Sequence, residues 1–120
     1  MSIKSYRELV VWQKAMEAVE HVYTLTLRLP REELYGLSSQ MRRAAVSIPS
    51  NIAEGFQRAH SPEQAQFMRI AFGSVAELET QIELMKRLKF VTEEKTRPLE
   101  SMLDEVGRML NTIIHRLVTN

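Results

Sequence analysis

At 120 residues the chain suits one domain built round one core, and with 44% hydrophobic and 26% charged residues it is neither disordered nor membrane-embedded. A net charge of +1 excludes the strongly basic character of most dedicated nucleic-acid binders, and zero cysteines exclude disulfides, thiolate metal sites and a cysteine nucleophile. Four Gly and four Pro are too few for a turn-rich β chain, no apolar run approaches the roughly 20 residues of a membrane span, and MSIKSYREL lacks a signal peptide's apolar core, so a cytoplasmic protein is expected.

The periodicity predicts four helical segments of about 25 residues each, roughly 35–40 Å long. The first runs from Tyr6 to Leu29, with Ser5 and Glu8 as a capping box and Pro30 as its stop. Its apolar residues, among them Leu9, Val11, Trp12, Ala15, Met16, Ala18, Val19, Val22 and Tyr23, sweep about 200° at 100° per residue. That arc is wider than a lone bundle buries, so part of it, including Val11 and Ala18, is expected to meet a partner subunit.

The second segment runs from Glu33 or Leu37 to Ala59. Leu37, Met41, Ala44, Ala45, Ile48, Ile52 and Phe56 form its core face, and Val46, Pro49 and Ala53 form a second apolar patch nearly opposite. Gln40, Arg43, Ser47, Asn51, Glu54 and Arg58 line up at steps of three and four as a polar seam. The seam fits a solvated flank with a Glu54–Arg58 pair worth a few tenths of a kcal/mol (about 0.2–0.5). It also fits a polar network at a subunit boundary or ligand groove, and the flanking apolar faces favour that. Val46, Pro49, Ala53, Asn51 and Glu54 are therefore candidate interface residues. Pro49 removes an amide and crowds the carbonyl of Ala45, at about 3 kcal/mol in an isolated helix; Ser47, Ser50 or Asn51 is placed to satisfy the freed groups.

The third segment runs from Pro62 to about Lys89, with Ser61 as N-cap and Gln64 completing the box. The fourth follows Thr92 and runs to about Val118, with a conventional stripe of Leu99, Met102, Leu103, Val106, Met109, Leu110, Ile113 and Leu117. Pro98 is placed to kink its first turns. Four long helices with short links specify an all-α, antiparallel up-and-down four-helix bundle in a single domain spanning 1–120.

Three stretches carry a family resemblance: LVVWQKAM at 9–16, ELYGLSSQMRRAAVSIPSNIAEGFQR ending at Arg58, and AFGSVAELETQ at 71–81. With these the chain resembles the bacterial four helix bundle protein family, also called 23S ribosomal RNA intervening-sequence proteins. The resemblance implies an up-down bundle and a ring-like homopentamer with a central channel. A related branch is similar to the accessory variability protein of diversity-generating retroelements, which works with a reverse transcriptase and binds nucleic acid through a basic surface. On this resemblance the expected partners are copies of the chain itself, RNA or DNA, and a reverse transcriptase. A fivefold ring would gather Arg42, Arg43 and Arg58 into rings of charge, and these with Lys14 are the candidate phosphate contacts. Arg43 and Arg58 serve equally well as polar locks at a subunit boundary.

Residues for chemistry are sparse. A di-iron bundle needs Glu-x-x-His on two helices, whereas Ala18, Gln57 and Thr112 stand three before His21, His60 and His115. There is no phosphate-binding glycine loop and no nucleophile elbow, and Asp104 is the sole aspartate. A non-enzymatic protein without metal or cofactor is expected: an oligomeric nucleic-acid-binding scaffold or, alternatively, a protein-interaction module that touches no nucleic acid.

Overall fold

The computed structural model describes residues 2–119. It contains four α-helices: α1, Val10–Thr26; α2, Leu37–Phe56; α3, Ser61–Arg87; and α4, Glu93–Val118. Helix α1 packs on α2, α2 on α3, α3 on α4 and α4 on α1, while the diagonal pairs do not approach, so the helices run round a square in chain order. The result is the up-and-down four-helix bundle, 46 Å long and 24 by 22 Å across. None of the described helices is long and apolar enough to cross a membrane.

The core follows the expected stripes. Met41, Ile48 and Ile52 of α2 meet Leu78, Ile82 and Met85 of α3 and Leu99, Leu103, Val106 and Leu110 of α4, all at 1% exposure or less. Helix α1 contributes Val11, Val22 and Leu25 and two small residues, Ala15 and Ala18, both at 0%, and α2 adds Ala44 and Ala45 to the same core. At the other edge of α2, Gly55 lies so close to α3 that an added Cβ would sit 3.0 Å from Phe67 Cβ and 3.2 Å from the Gln64 carbonyl oxygen.

The ends of the helices depart from the sequence reading. The Ser5–Glu8 capping box forms, but it caps a single 3-10 turn, Tyr6–Glu8, and the chain is extended at Leu9 before α1 begins. The turn folds back so that Tyr6 meets Trp12 edge-on at 5.4 Å. Helix α1 stops at Thr26, three residues before Leu29, and passes into tighter i→i+3 turns ahead of Pro30. Ser61 and Gln64 do not make a capping box: no side chain caps α3 at its N-terminus. Gln64 Nε2 instead donates to the Arg58 carbonyl at 2.7 Å, bracing the α2–α3 turn. Gln13 Nε2 does the same to the Arg7 carbonyl at 2.9 Å before α1. Helices α2 and α4 run unbroken through Pro49 and Pro98.

Helix α3 ends in a Schellman arrangement, with Lys89 N–H to the Lys86 carbonyl and Phe90 N–H to the Met85 carbonyl, both at 3.0 Å. The pivot is Lys89 at φ 63°, a left-handed position normally held by glycine. Beside it, Lys86 Nζ lies 2.9 Å from both Glu93 and Glu100 and 3.6 Å from Glu83, joining α3 to the start of α4. Buried Thr96 donates to the other Glu100 oxygen at 2.9 Å. These contacts shift the acids. Burial opposes ionisation of Glu100, but the hydrogen bonds from Lys86 and Thr96 outweigh it and hold its carboxyl below the usual value. The hydrogen bond from Arg87 holds Glu83 low as well. Lys86 is held above the usual lysine value, first by Glu100 and then by Glu93.

Two outcomes follow. Lys89→Gly removes a left-handed Cβ penalty and is expected to raise stability by about 1 kcal/mol, read as a higher urea midpoint; an unchanged or lower midpoint contradicts the assignment. Glu83 and Glu100 have folded pKa values below their unfolded ones. Their stabilisation is therefore complete above about pH 4.5 and is lost as pH falls through the folded values. Lys86→Met is expected to flatten the fall in urea midpoint below about pH 4.5. An equally steep fall in the variant would place the acid sensitivity elsewhere.

Candidate subunit and nucleic-acid interface

The candidate interface residues divide on folding. Val11 and Ala18 are 3% and 0% exposed and belong to the bundle's own core, so they are not available to a neighbour. The wide apolar arc of α1 is real, but its spare part lies on the other residues: Met16 and Tyr23 are 38% and 44% exposed, and Trp12 and Val19 are half-buried. Pro49 is buried as well and forms the floor of a groove between α1 and α2. Tyr6, Trp12, Met16 and Val19 line one side of this groove, and Val46, Ser50 and Ala53 the other. Its volume is about 310 Å³, and no charged side chain lines it. Val46 is 41% exposed and Ala53 half-buried, so both remain on the surface.

The middle of the polar seam, Ser47 and Asn51, turns away from this groove and onto α3 of the same chain. Ser74 Oγ donates to Ser47 Oγ at 2.9 Å, and Asn51 Nδ2 donates to Ser47 Oγ at 3.0 Å and to the Ser47 carbonyl at 2.8 Å. Asn51 thus serves the carbonyl of Ser47 and not that of Ala45, and it is spent inside the subunit. Arg58 pairs with Glu54 at 3.1 Å while its guanidinium lies 4.8 Å over the Phe67 ring. The seam is an edge where α2 meets α3, which the wheel of α2 alone does not reveal.

The four candidate phosphate contacts also separate. Lys14 pairs with Glu105 of α4 at 3.3 Å. Arg58, already paired, lies beyond the C-terminus of α2, about 24 Å along the axis from Arg42 at the helical rise per residue. Arg42 and Arg43 stay together, and neither takes part in an ion pair among the described residues. Arg42 is held in place: its Nε donates to Thr26 Oγ1 at 2.9 Å, and its Cζ lies 4.7 Å over the Tyr23 ring. Thr26 is 3% exposed and itself donates to the Val22 carbonyl at 2.8 Å, so the guanidinium hangs from a buried hydroxyl at the end of α1. Both arginines line a groove of about 610 Å³ with Tyr23, Leu34, Tyr35, Ser39 and Val46, and no carboxylate lines it. Val46 belongs to both grooves, so the basic groove continues the apolar one along the α1–α2 edge.

Tyr35 and Thr26 were not legible as site residues. Tyr35 stands outside any helix, where no periodicity marks it, and Thr26 reads as one of several polar residues near a helix end. Trp12, Met16 and Tyr23 did carry a signal, the excess width of the α1 arc. On the opposite side, Phe72, Val75, Ala76, Glu79, Leu103, Asp104 and Gly107 line a groove of about 350 Å³ between α3 and α4. The Glu79 carboxyl there is raised above the usual value by burial, then by Asp104 and Glu100. Asp104 is paired with Arg108.

A family model described as 23S rRNA-intervening sequence protein matches residues 7–112. Among solved structures, the chain is similar to a protein from Bacteroides thetaiotaomicron, described as of unknown function and from the S23 ribosomal protein family. The two are 27% identical with a TM-score of 0.79, and the match covers 88% of this chain and 98% of that one. No curated protein matches the chain.

Proposed function

The chain belongs to the 23S rRNA-intervening sequence protein family, and on that footing we propose that it is a non-enzymatic, homo-oligomeric scaffold that binds RNA or DNA. The observation that carries the reading is the α1–α2 edge. One end is an uncharged apolar groove walled by Trp12, Met16 and Val46, and the other holds two arginines with no carboxylate beside them. Exposed apolar surface of this kind is most cheaply buried against another copy. Five copies are the number expected from the family resemblance. Unpaired arginines carry the electrostatics of phosphate binding, and repetition round an oligomer multiplies a +1 chain into a collective positive field. Arg42 and Arg43 take the phosphate role in this reading; Lys14 and Arg58 are committed to carboxylates of their own chain.

Light scattering is expected to give a mass several times that of the chain at micromolar concentration. Val46→Glu places a charge on a half-exposed position and is expected to dissociate the assembly while helical circular dichroism is retained. A monomeric wild type overturns the oligomer. Binding to structured RNA is expected at about 50 mM salt and should weaken steeply toward about 200 mM. An Arg42→Gln, Arg43→Gln double variant is expected to lower the log–log salt slope by about 1.5–2 per bound subunit. No binding at low salt, or binding indifferent to salt, overturns the nucleic-acid role.

A further inference from the structure

We propose that the α1–α2 groove takes single-stranded nucleic acid, with an unpaired base stacked on Tyr35 and the adjoining phosphate on Arg42 and Arg43; this rests on the nucleic-acid reading above and narrows it. Tyr35 is 92% exposed, so nearly the whole ring stands in water at the mouth of the groove. Arg42 faces the same groove as a pre-set donor. Its Nε is used by Thr26 and its plane rests on Tyr23, which leaves the two terminal nitrogens for a ligand and little conformational freedom to lose on binding. Arg43 is exposed and one residue on, a second cation in the same wall.

An aromatic face beside fixed guanidinium groups is the chemistry of a stacking platform along a phosphate backbone. A duplex fits it poorly, because paired bases are already stacked on each other and present only edges and phosphates. An acidic peptide would satisfy the arginines but would leave the Tyr35 face without a flat partner. The groove carries no side-chain amide to read base edges, only the Ser39 hydroxyl beside the tyrosines and arginines, so little sequence preference is expected.

The test uses the full chain with a fluorescently labelled oligouridine of about ten nucleotides and a hairpin of similar charge whose strands are joined by a non-nucleotide linker, so that every base is paired, followed by anisotropy at about 50 mM salt. The oligouridine is expected to bind more tightly than the hairpin. Tyr35→Ala is expected to weaken oligouridine binding by about 5- to 150-fold, leave the hairpin unchanged and leave the salt slope unchanged. Tyr35→Phe should keep wild-type affinity. Arg42→Gln should lower the slope by about 0.7. If wild type binds both probes and Tyr35→Ala weakens neither, or the hairpin binds better, the stacking inference is overturned and the broader reading survives. If wild type binds neither probe, the broader reading itself fails. If Tyr35→Ala lowers the assembly mass in light scattering, Tyr35 is a subunit contact and the groove assignment is overturned.

Discussion

Close packing of α2 against both its neighbours is the constraint on which the rest of the structure depends. Helix α2 carries the buried Ala44 and Ala45 on its core face, and toward α3 it has Gly55, whose missing side chain leaves room for Phe67 and the Gln64 carbonyl. Helices that meet through small residues lie near the short end of the usual interaxial range. Trp12, Met16, Tyr23 and Val46 make the outer grooves of the α1–α2 edge. The α1–α2 edge therefore carries, outside the core, the surface by which the subunit is proposed to associate.

Polar groups are distributed to match. The seam of α2 is folded onto α3 through Ser47, Ser74 and Asn51, and Arg58 is neutralised by Glu54. At the far end, Lys86 gathers three carboxylates to hold α4 against α3. Arg42 and Arg43 lie outside these pairs and share one groove. One is tethered by a buried hydroxyl and an aromatic ring, and among the described residues no carboxylate lines their groove. A tethered but unneutralised cation is what phosphate recognition requires: the ordering cost is met within the fold and the charge remains available.

The fold was open to a reader of the chain. Helix count, up-down order, the buried faces of α2 and α4 and the capping residues Ser5 and Glu8 all follow from spacing, because a 3.6-residue period and the stereochemistry of Ser and Pro act locally. Helix ends were less legible. Leu9 breaks what looks like one continuous helix so that Tyr6 can reach Trp12, and Gln64 leaves its expected cap to brace a turn six residues back. Such choices are settled by neighbours distant in the chain or across a turn, which local propensity does not contain.

The chain by itself determined that a bundle forms, that α1 carries more apolar surface than one bundle can bury, and that α2 serves more than one packing surface. Tertiary structure alone decided which residues pay that role out. A helical wheel gives angles about one axis but not the direction of the neighbours, so Val11 and Ala18 could be exchanged for Met16 and Tyr23 without altering the pattern. Only the placement of the helices together turned Ser47 and Asn51 of the seam onto α3, paired Lys14 with Glu105 of α4, and left Arg42, Arg43 and Tyr35 facing the same open groove.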